Sequence, residues 1–170
     1  MARKVRVAAF TDGCMVKPRT IADNLDWTCG IIDQMACERP DIICLTENFD
    51  SRETGMKHNQ MAQCLDEPVF TRIAQKAQEL RCYIICAFIE KRAEGFYNTA
   101  TVIDRNGALA GHYDKIHPTN GEIEAGVIPG GLAPSVIPTD FGKIGCQICF
   151  DANWPEDWRA LKEAGAEIIF

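Results

Sequence analysis

Three reactive side chains stand where apolar runs of this sequence end: Glu47 after "DIICLT", Lys115 after "HYD" and Cys149 after "KIGCQI". In open α/β sheets, ligands gather at the carboxyl ends of the strands. A thiol, a carboxylate and an ammonium meeting there form a kit for acyl transfer. The thiol attacks a carbonyl carbon, the carboxylate takes its proton, and the ammonium stabilises the oxyanion. Each residue also has an ordinary structural explanation. A carboxylate after a strand is commonly a turn residue or helix cap, a lysine at a hairpin end is commonly solvated, and a strand cysteine commonly packs as a small hydrophobe.

The setting of Cys149 separates it from that background. The strand stops there, and Asp151, Ala152 and Asn153 turn the chain into a helix. A strand–turn–helix exposes the side chain and aims helix N–H groups at negative charge. With Lys115 nearby, those groups predict a thiol pKa below the free value of about 8.5. Cys146 lies three residues upstream within the strand, so it points to the opposite face and is expected in the core.

Other chemistries use some of the same residues. Cys146 and Cys149 form a CxxC pair, the pattern of thiol–disulfide proteins, but such a pair normally follows the strand at a helix N-terminus. That reading leaves Glu47 and Lys115 without a role. A zinc site needs further ligands; Cys14, His112 and His117 are present, but no second closely spaced pair is. A Cys–His hydrolase is the stronger rival, because His112 and His117 flank Lys115. A binding protein that has lost activity is a third alternative.

The elements that must position these residues follow from periodicity. "VRVAAF" and "DIICLTE" are strand candidates, and between them Ile21, Leu25, Cys29, Ile32 and Ala36 recur at helical spacing behind a Thr20–Asp23 capping box, with Pro40 as the stop. A polar loop from Asn48 to Glu67 leads to a second helix carrying Phe70, Ile73, Ala77 and Leu80, with Asp66 as its N-cap. "YIICAFIE" is a buried strand, and Arg105-Asn106-Gly107 joins two more as a hairpin. A Gly/Pro-rich loop over 118–133 precedes "PSVIPTD", the strand "KIGCQICF", and a helix with Trp154, Trp158 and Leu161 on one face that ends at Gly165. Together these predict an α/β domain over residues 1–170, with a mixed sheet covered by helices on one face. The chain stops inside an apolar strand, "AEIIF". That predicts further strands beyond Phe170, and insoluble or inactive material from these residues alone.

Composition narrows the class. With 170 residues, 46% hydrophobic and 25% charged, the chain is an ordinary globular domain. A net charge of -6 argues against a general nucleic-acid binder, and no apolar run approaches the ~18 residues of a membrane span. The nine cysteines are odd in number and several lie inside apolar runs, which fits a reducing cytoplasm better than a disulfide framework.

With these segments assembled, the sequence resembles the carbon–nitrogen hydrolase family, commonly called the nitrilase superfamily, over essentially the whole chain from "KVRVAAF" to Gly165. "CLTENF" looks like the family's glutamate segment, "HYDKIHP" its lysine segment, and "GCQICFDANWPE" its nucleophile segment. The resemblance implies that Glu47 is the general base, Lys115 the oxyanion-binding ammonium and Cys149 the nucleophile. It also implies that the backbone N–H of Phe150 helps bind the oxyanion. Some members use a second glutamate after the lysine; here the candidates are Glu122 and Glu124, with Glu122 preferred. The implied fold is a four-layer α-β-β-α sandwich, incomplete here at the C-terminus, in a homodimer or higher homo-oligomer. The implied substrate is a small linear amide, carbamoyl or nitrile compound, with amides and carbamoyl compounds ahead of nitriles, and no metal or cofactor is implied. The sequence departs from the pattern at Thr46, where a proline is common, and in lacking the family's final strands.

Overall fold

The computed structural model describes residues 4–11 and 19–170. Strands β1 (Val7–Ala9), β2 (Ile42–Glu47) and β3 (Tyr83–Arg92) run parallel, and β4 (Gly95–Ile103) and β5 (Leu109–Asp114) extend the sheet antiparallel, in the order β1-β2-β3-β4-β5. The mixed sheet is as predicted, but β6 (Val136–Thr139), β7 (Gly142–Gly145) and β8 (Ile168–Ile169) do not join it. They form a second sheet in the order β6-β7-β8.

The reason lies in β3, which is apolar on both faces. Ile84, Cys86 and Phe88 pack against helices α1 (Ile21–Met35) and α3 (Pro68–Leu80). Tyr83, Ile85 and Ala87 pack against Ile137, Ile144 and Ile148 of the second sheet and its extension. One layer of helices covers only one such face, and the second sheet takes the other. Helix α5 (Pro155–Glu163) lies outside the second sheet, where Leu161 comes so close to Gly145 that a Cβ there would sit 3.0 Å from the leucine side chain. The layers are α-β-β-α.

Local signals explain most boundaries. The Asp23 N–H donates to Thr20 Oγ1 (3.1 Å) and the Thr20 N–H to Asp23 Oδ2 (2.9 Å), which closes the predicted capping box of α1. Helix α3 is capped at Glu67, not Asp66, because Pro68 takes the first helical position. The two stretches predicted as loops contain short helices, α2 (His58–Met61) and α4 (Asn120–Glu124), too brief to show a period. The strand expected from "KIGCQICF" ends at Gly145, and a 3₁₀ turn over Cys149–Asn153 precedes α5. On α5 only Leu161 is buried; Trp154 precedes the helix and Trp158 is 40% exposed.

Two backbone features aim the strand ends. In β2–β3 the register runs Ile43↔Ile84 and Cys44↔Ile85, then Glu47↔Ala87, so β2 carries a bulge. Strict alternation from Leu45 would send Glu47 to the helix side. The bulge instead turns it to the face of Ala87, between the sheets. In β4–β5 the Lys115 N–H donates to the Asn98 carbonyl (2.9 Å), carrying the ladder one step past Asp114. Lys115 and Asn98 therefore share the inter-sheet face with Tyr113 and Ala100.

The segment after Lys115 folds back so that the Gly130 N–H donates to the Lys115 carbonyl (2.8 Å), and a Cβ at Gly130 would collide with the Asp114 carbonyl oxygen. Gly130→Ala should cost about 1–3 kcal/mol through backbone displacement. Gly131→Ala meets open space and should be neutral in the same thermal melts.

Asp50 lies fully buried in the turn after β2, which α1 grips through Asn24 Nδ2 bonds to the carbonyls of Asp50 (2.9 Å) and Arg52 (2.8 Å). Burial pushes its carboxyl up to about 7, and backbone N–H groups offset this only in part. The stability held by this protonated carboxyl is complete below the unfolded value of about 3.9 and is lost as pH rises through about 7. Asp50→Asn should raise the Tm at pH 8 relative to the parent chain and change it little at pH 4.

Candidate active site

The ends of β2 and β5 and the interior of β4 deliver Glu47, Lys115 and Asn98 to one point, and α4 adds Glu122. Lys115 Nζ lies 2.9 Å from Glu47 Oε1 and 2.9 Å from Glu122 Oε2, with its side chain 1% exposed. Asn98 Nδ2 donates to Glu47 Oε1 (2.7 Å) and to Glu122 Oε1 (2.6 Å). The Thr119 N–H and hydroxyl donate to Glu122 Oε2 at 2.7 and 2.8 Å, so the capping box of α4 also orients this carboxylate. Of the two loop glutamates, Glu122 is buried in this cluster and Glu124 is exposed.

Cys149 reaches the same place from the second sheet. Its backbone is left-handed at φ 49, an uncommon setting for a side chain with a Cβ, and it turns the exposed thiol out of the strand line. Asp151 pins this turn. It is fully buried and accepts from the Tyr113 hydroxyl (2.8 Å), the His117 N–H (2.8 Å) and the Ile148 N–H (3.0 Å). The nucleophile candidate is thereby tied to the strand and loop that carry Lys115. Phe150 follows on the open side, 44% exposed, with its ring edge-on to Trp154. A cavity of about 220 Å³ opens beside Glu47 and Cys149, its other walls including Ile85, Ala87, Ala100 and Ile148.

The electrostatics correct one expectation. The Cys149 thiol is raised above its ordinary pKa, not lowered: burial raises it, and the charge and hydrogen-bond acceptance of Glu47 outweigh the Lys115 ammonium. The element behind Cys149 is also a short 3₁₀ turn, which offers little of the dipole a full helix would supply. Burial alone would pull Lys115 down, yet bonds to Glu47 and Glu122 lift it above the usual lysine range. Glu122 is held below the carboxylate range because its bonds to Asn98, Thr119 and Lys115 outweigh burial.

The rival residues are placed elsewhere. Cys146 is 1% exposed in the inter-sheet core, its thiol pushed up to about 12 by burial, so the CxxC spacing does not bring two reactive thiols together. His117 stacks on Trp154 at 3.7 Å between ring centres and bonds through Nε2 to Asp157 (2.8 Å). His112 stands near Asp114, with its side chain 47% exposed. Cys14 lies outside the described residues. The sequence reading missed Asn98 and Asp151. Asn98 was signalled by phase, being a polar residue two positions before Ala100 on the apolar face of β4.

The fold is that of the nitrilase superfamily. A carbon–nitrogen hydrolase from Helicobacter pylori G27 matches with TM-score 0.81 at 23% identity, over 97% of this chain and 58% of that one. Among sequence relatives, an N-carbamoylputrescine amidase of Arabidopsis thaliana is 35% identical over 62% of this chain and 36% of its own. A deaminated glutathione amidase of Synechocystis sp. is 26% identical over 92% of this chain and 62% of its own. The chain thus spans less than two thirds of each of these proteins. The carbon–nitrogen hydrolase family model matches residues 6–170, and the chain belongs to that family.

The two cysteines of the motif should separate in a mass-mapped alkylation time course. Iodoacetamide should modify Cys149 well before Cys146, and the Cys149 rate should climb with pH through and above the ordinary thiol range, because only the thiolate reacts. A reversible Cys146–Cys149 disulfide would restore the redox reading.

Proposed function

We propose that the protein hydrolyses a non-peptide carbon–nitrogen bond through a thioester on Cys149. The observation that carries this reading is the meeting of an exposed thiol on a left-handed turn with a carboxylate and ammonium 2.9 Å apart, at the ends of strands from both sheets. Glu47 takes the Cys149 proton as sulfur attacks the acyl carbon. Lys115 and the Phe150 N–H stabilise the oxyanion. The carbon–nitrogen bond then breaks, the nitrogen leaves with the proton held by Glu47, and the thioester remains. Water, deprotonated by Glu47, attacks the thioester carbon and releases the acid, and the proton returns to sulfur. Glu122 holds Lys115 in place and lies within the same group.

Substrate follows from the company the chain keeps. Its relatives include proteins named for amidase action on N-carbamoylputrescine and on deaminated glutathione, both linear compounds. We therefore assign a linear amide or carbamoyl substrate rather than a nitrile. No helix among the described residues is long and apolar enough to cross a membrane. The free cysteines favour a reducing compartment, and we infer a cytoplasmic homo-oligomer, to be checked by light scattering.

In an ammonia-release assay over small amides, carbamoyl compounds and nitriles, Cys149→Ala, Glu47→Gln and Lys115→Ala should each lose at least about 10²-fold in turnover while remaining folded. Parent-level hydrolysis by a folded Lys115→Ala protein would sink the triad and return attention to the histidines.

A further inference from the structure

We propose that Asn98 is a positioning residue, whose side-chain amide clamps the Glu47 and Glu122 carboxylates toward Lys115 and so holds Glu47 beside the Cys149 thiol. The inference rests on the reading of Glu47 as base and adds a residue to that machinery. Asn98 is 1% exposed, and its Nδ2 bonds to one oxygen of each carboxylate at 2.7 and 2.6 Å. Its Oδ1 is buried without a partner among the described residues, so within them only the two carboxylates orient the amide. The opposite flip would set a carbonyl oxygen against both anions. The backbone allows no drift, because the Lys115 N–H donates to the Asn98 carbonyl at 2.9 Å.

The charge arrangement gives the amide its job. Two carboxylates share one ammonium, and Glu122 has Thr119 as a further donor, while among the described residues Glu47 accepts from Lys115 and Asn98 alone. Glu47 comes from β2, Asn98 from β4, Lys115 from the end of β5, Glu122 from α4 and Cys149 from the turn after β7. On β3, the strand between β2 and β4, Ala87 and Ile89 bring no charge. The next charges along these strands, Glu90 and Asp114, are bound to Arg92 at 2.6 and 2.7 Å. Without Asn98, Glu47 loses one of its two fixed donors, and its carboxyl gains freedom to rotate away from the thiol.

The test is the pH dependence of Cys149 alkylation by iodoacetamide in the full chain, which needs no substrate. In Asn98→Ala, and in Asn98→Ser, whose hydroxyl is too short to span both carboxylates, the acid limb of the profile should move to lower pH, because a Glu47 carboxylate free to swing away no longer raises the thiol. On an amide substrate, kcat should fall at least tenfold with KM changed by less than about threefold. Thermal melts identify which variants are folded, and Asn98→Ser serves where Asn98→Ala is not. A folded Asn98 variant with the parent's alkylation profile overturns the inference, whatever its Tm, since a merely structural asparagine would change stability and leave the limb in place. Glu47→Gln is the reference arm. If it too leaves the profile unmoved, the fault lies with Glu47 as base; if it moves the profile and the Asn98 variants do not, only the role of Asn98 fails.

Discussion

The ammonium of Lys115 is buried, and a buried cation costs several kcal/mol unless opposite charge and hydrogen bonds surround it. Much of this architecture follows from that requirement. One counter-charge arrives from a bulged strand end, Glu47, and the other from a one-turn helix, Glu122. Neither would reach Lys115 in a more regular fold. An unbulged β2 would point Glu47 at α1 and α3, and an α4 without its Thr119 cap would leave Glu122 unoriented. The irregular pieces, a bulge, a short helix and a glycine pressed on Asp114, all lie around one charged nitrogen. Such features cluster where a regular sheet cannot aim its side chains.

That arrangement also decides the resting state of the thiol. Two carboxylates face one ammonium, leaving excess negative charge beside Cys149, and the thiol keeps its proton. A preformed thiolate beside a cation, the device of many thiol enzymes, is the wrong description here. A neutral thiol beside a carboxylate suits the proposed sequence of events, in which the proton moves to Glu47 as sulfur engages the acyl carbon. It also protects the thiol from casual alkylation and oxidation, since reactivity follows thiolate content and exposure.

Where the sequence carried a repeating pattern or a strong local signal, it was legible. The buried run of β3, the capping box at Thr20, the hairpin around Asn106 and the strand-end placing of Glu47 and Lys115 could all be read directly, whereas Cys149 lies four residues past the end of β7. Periodicity alone did not show the second sheet, because it assigns strands but not partners, and β6–β8 carry the same apolar pattern as a continuation of the first sheet; the four-layer sandwich that the family resemblance implied is the one found. Helices α2 and α4 are shorter than the window in which a helical period declares itself. The bulge in β2 has no residue signature at all. Asn98 was legible in phase but not in meaning, since a polar residue on a core face is equally a sign of a misread register. The Cys149 expectation failed because a sequence shows the cation three segments away and the helix ahead, but not that Glu47 stands closer in effect than Lys115.

The last constraint is that the candidate site straddles two sheets. Glu47, Asn98 and Lys115 belong to the first, while Cys149 hangs from the second, so the apolar layer between them sets how far Glu47 and Lys115 stand from Cys149. Packing through Ile85, Ala87, Ile144 and Ile148 holds the sheets apart by side-chain volume, which is close-packed and yields little. Asp151 adds the polar half of the same restraint, bonding Tyr113 of the first sheet and Ile148 of the second through one buried carboxylate. A change of one methylene in that layer should therefore act on the geometry of the site as well as on stability. The inter-sheet core works as the ruler of the site, and the cavity beside Cys149 is where that ruler meets solvent.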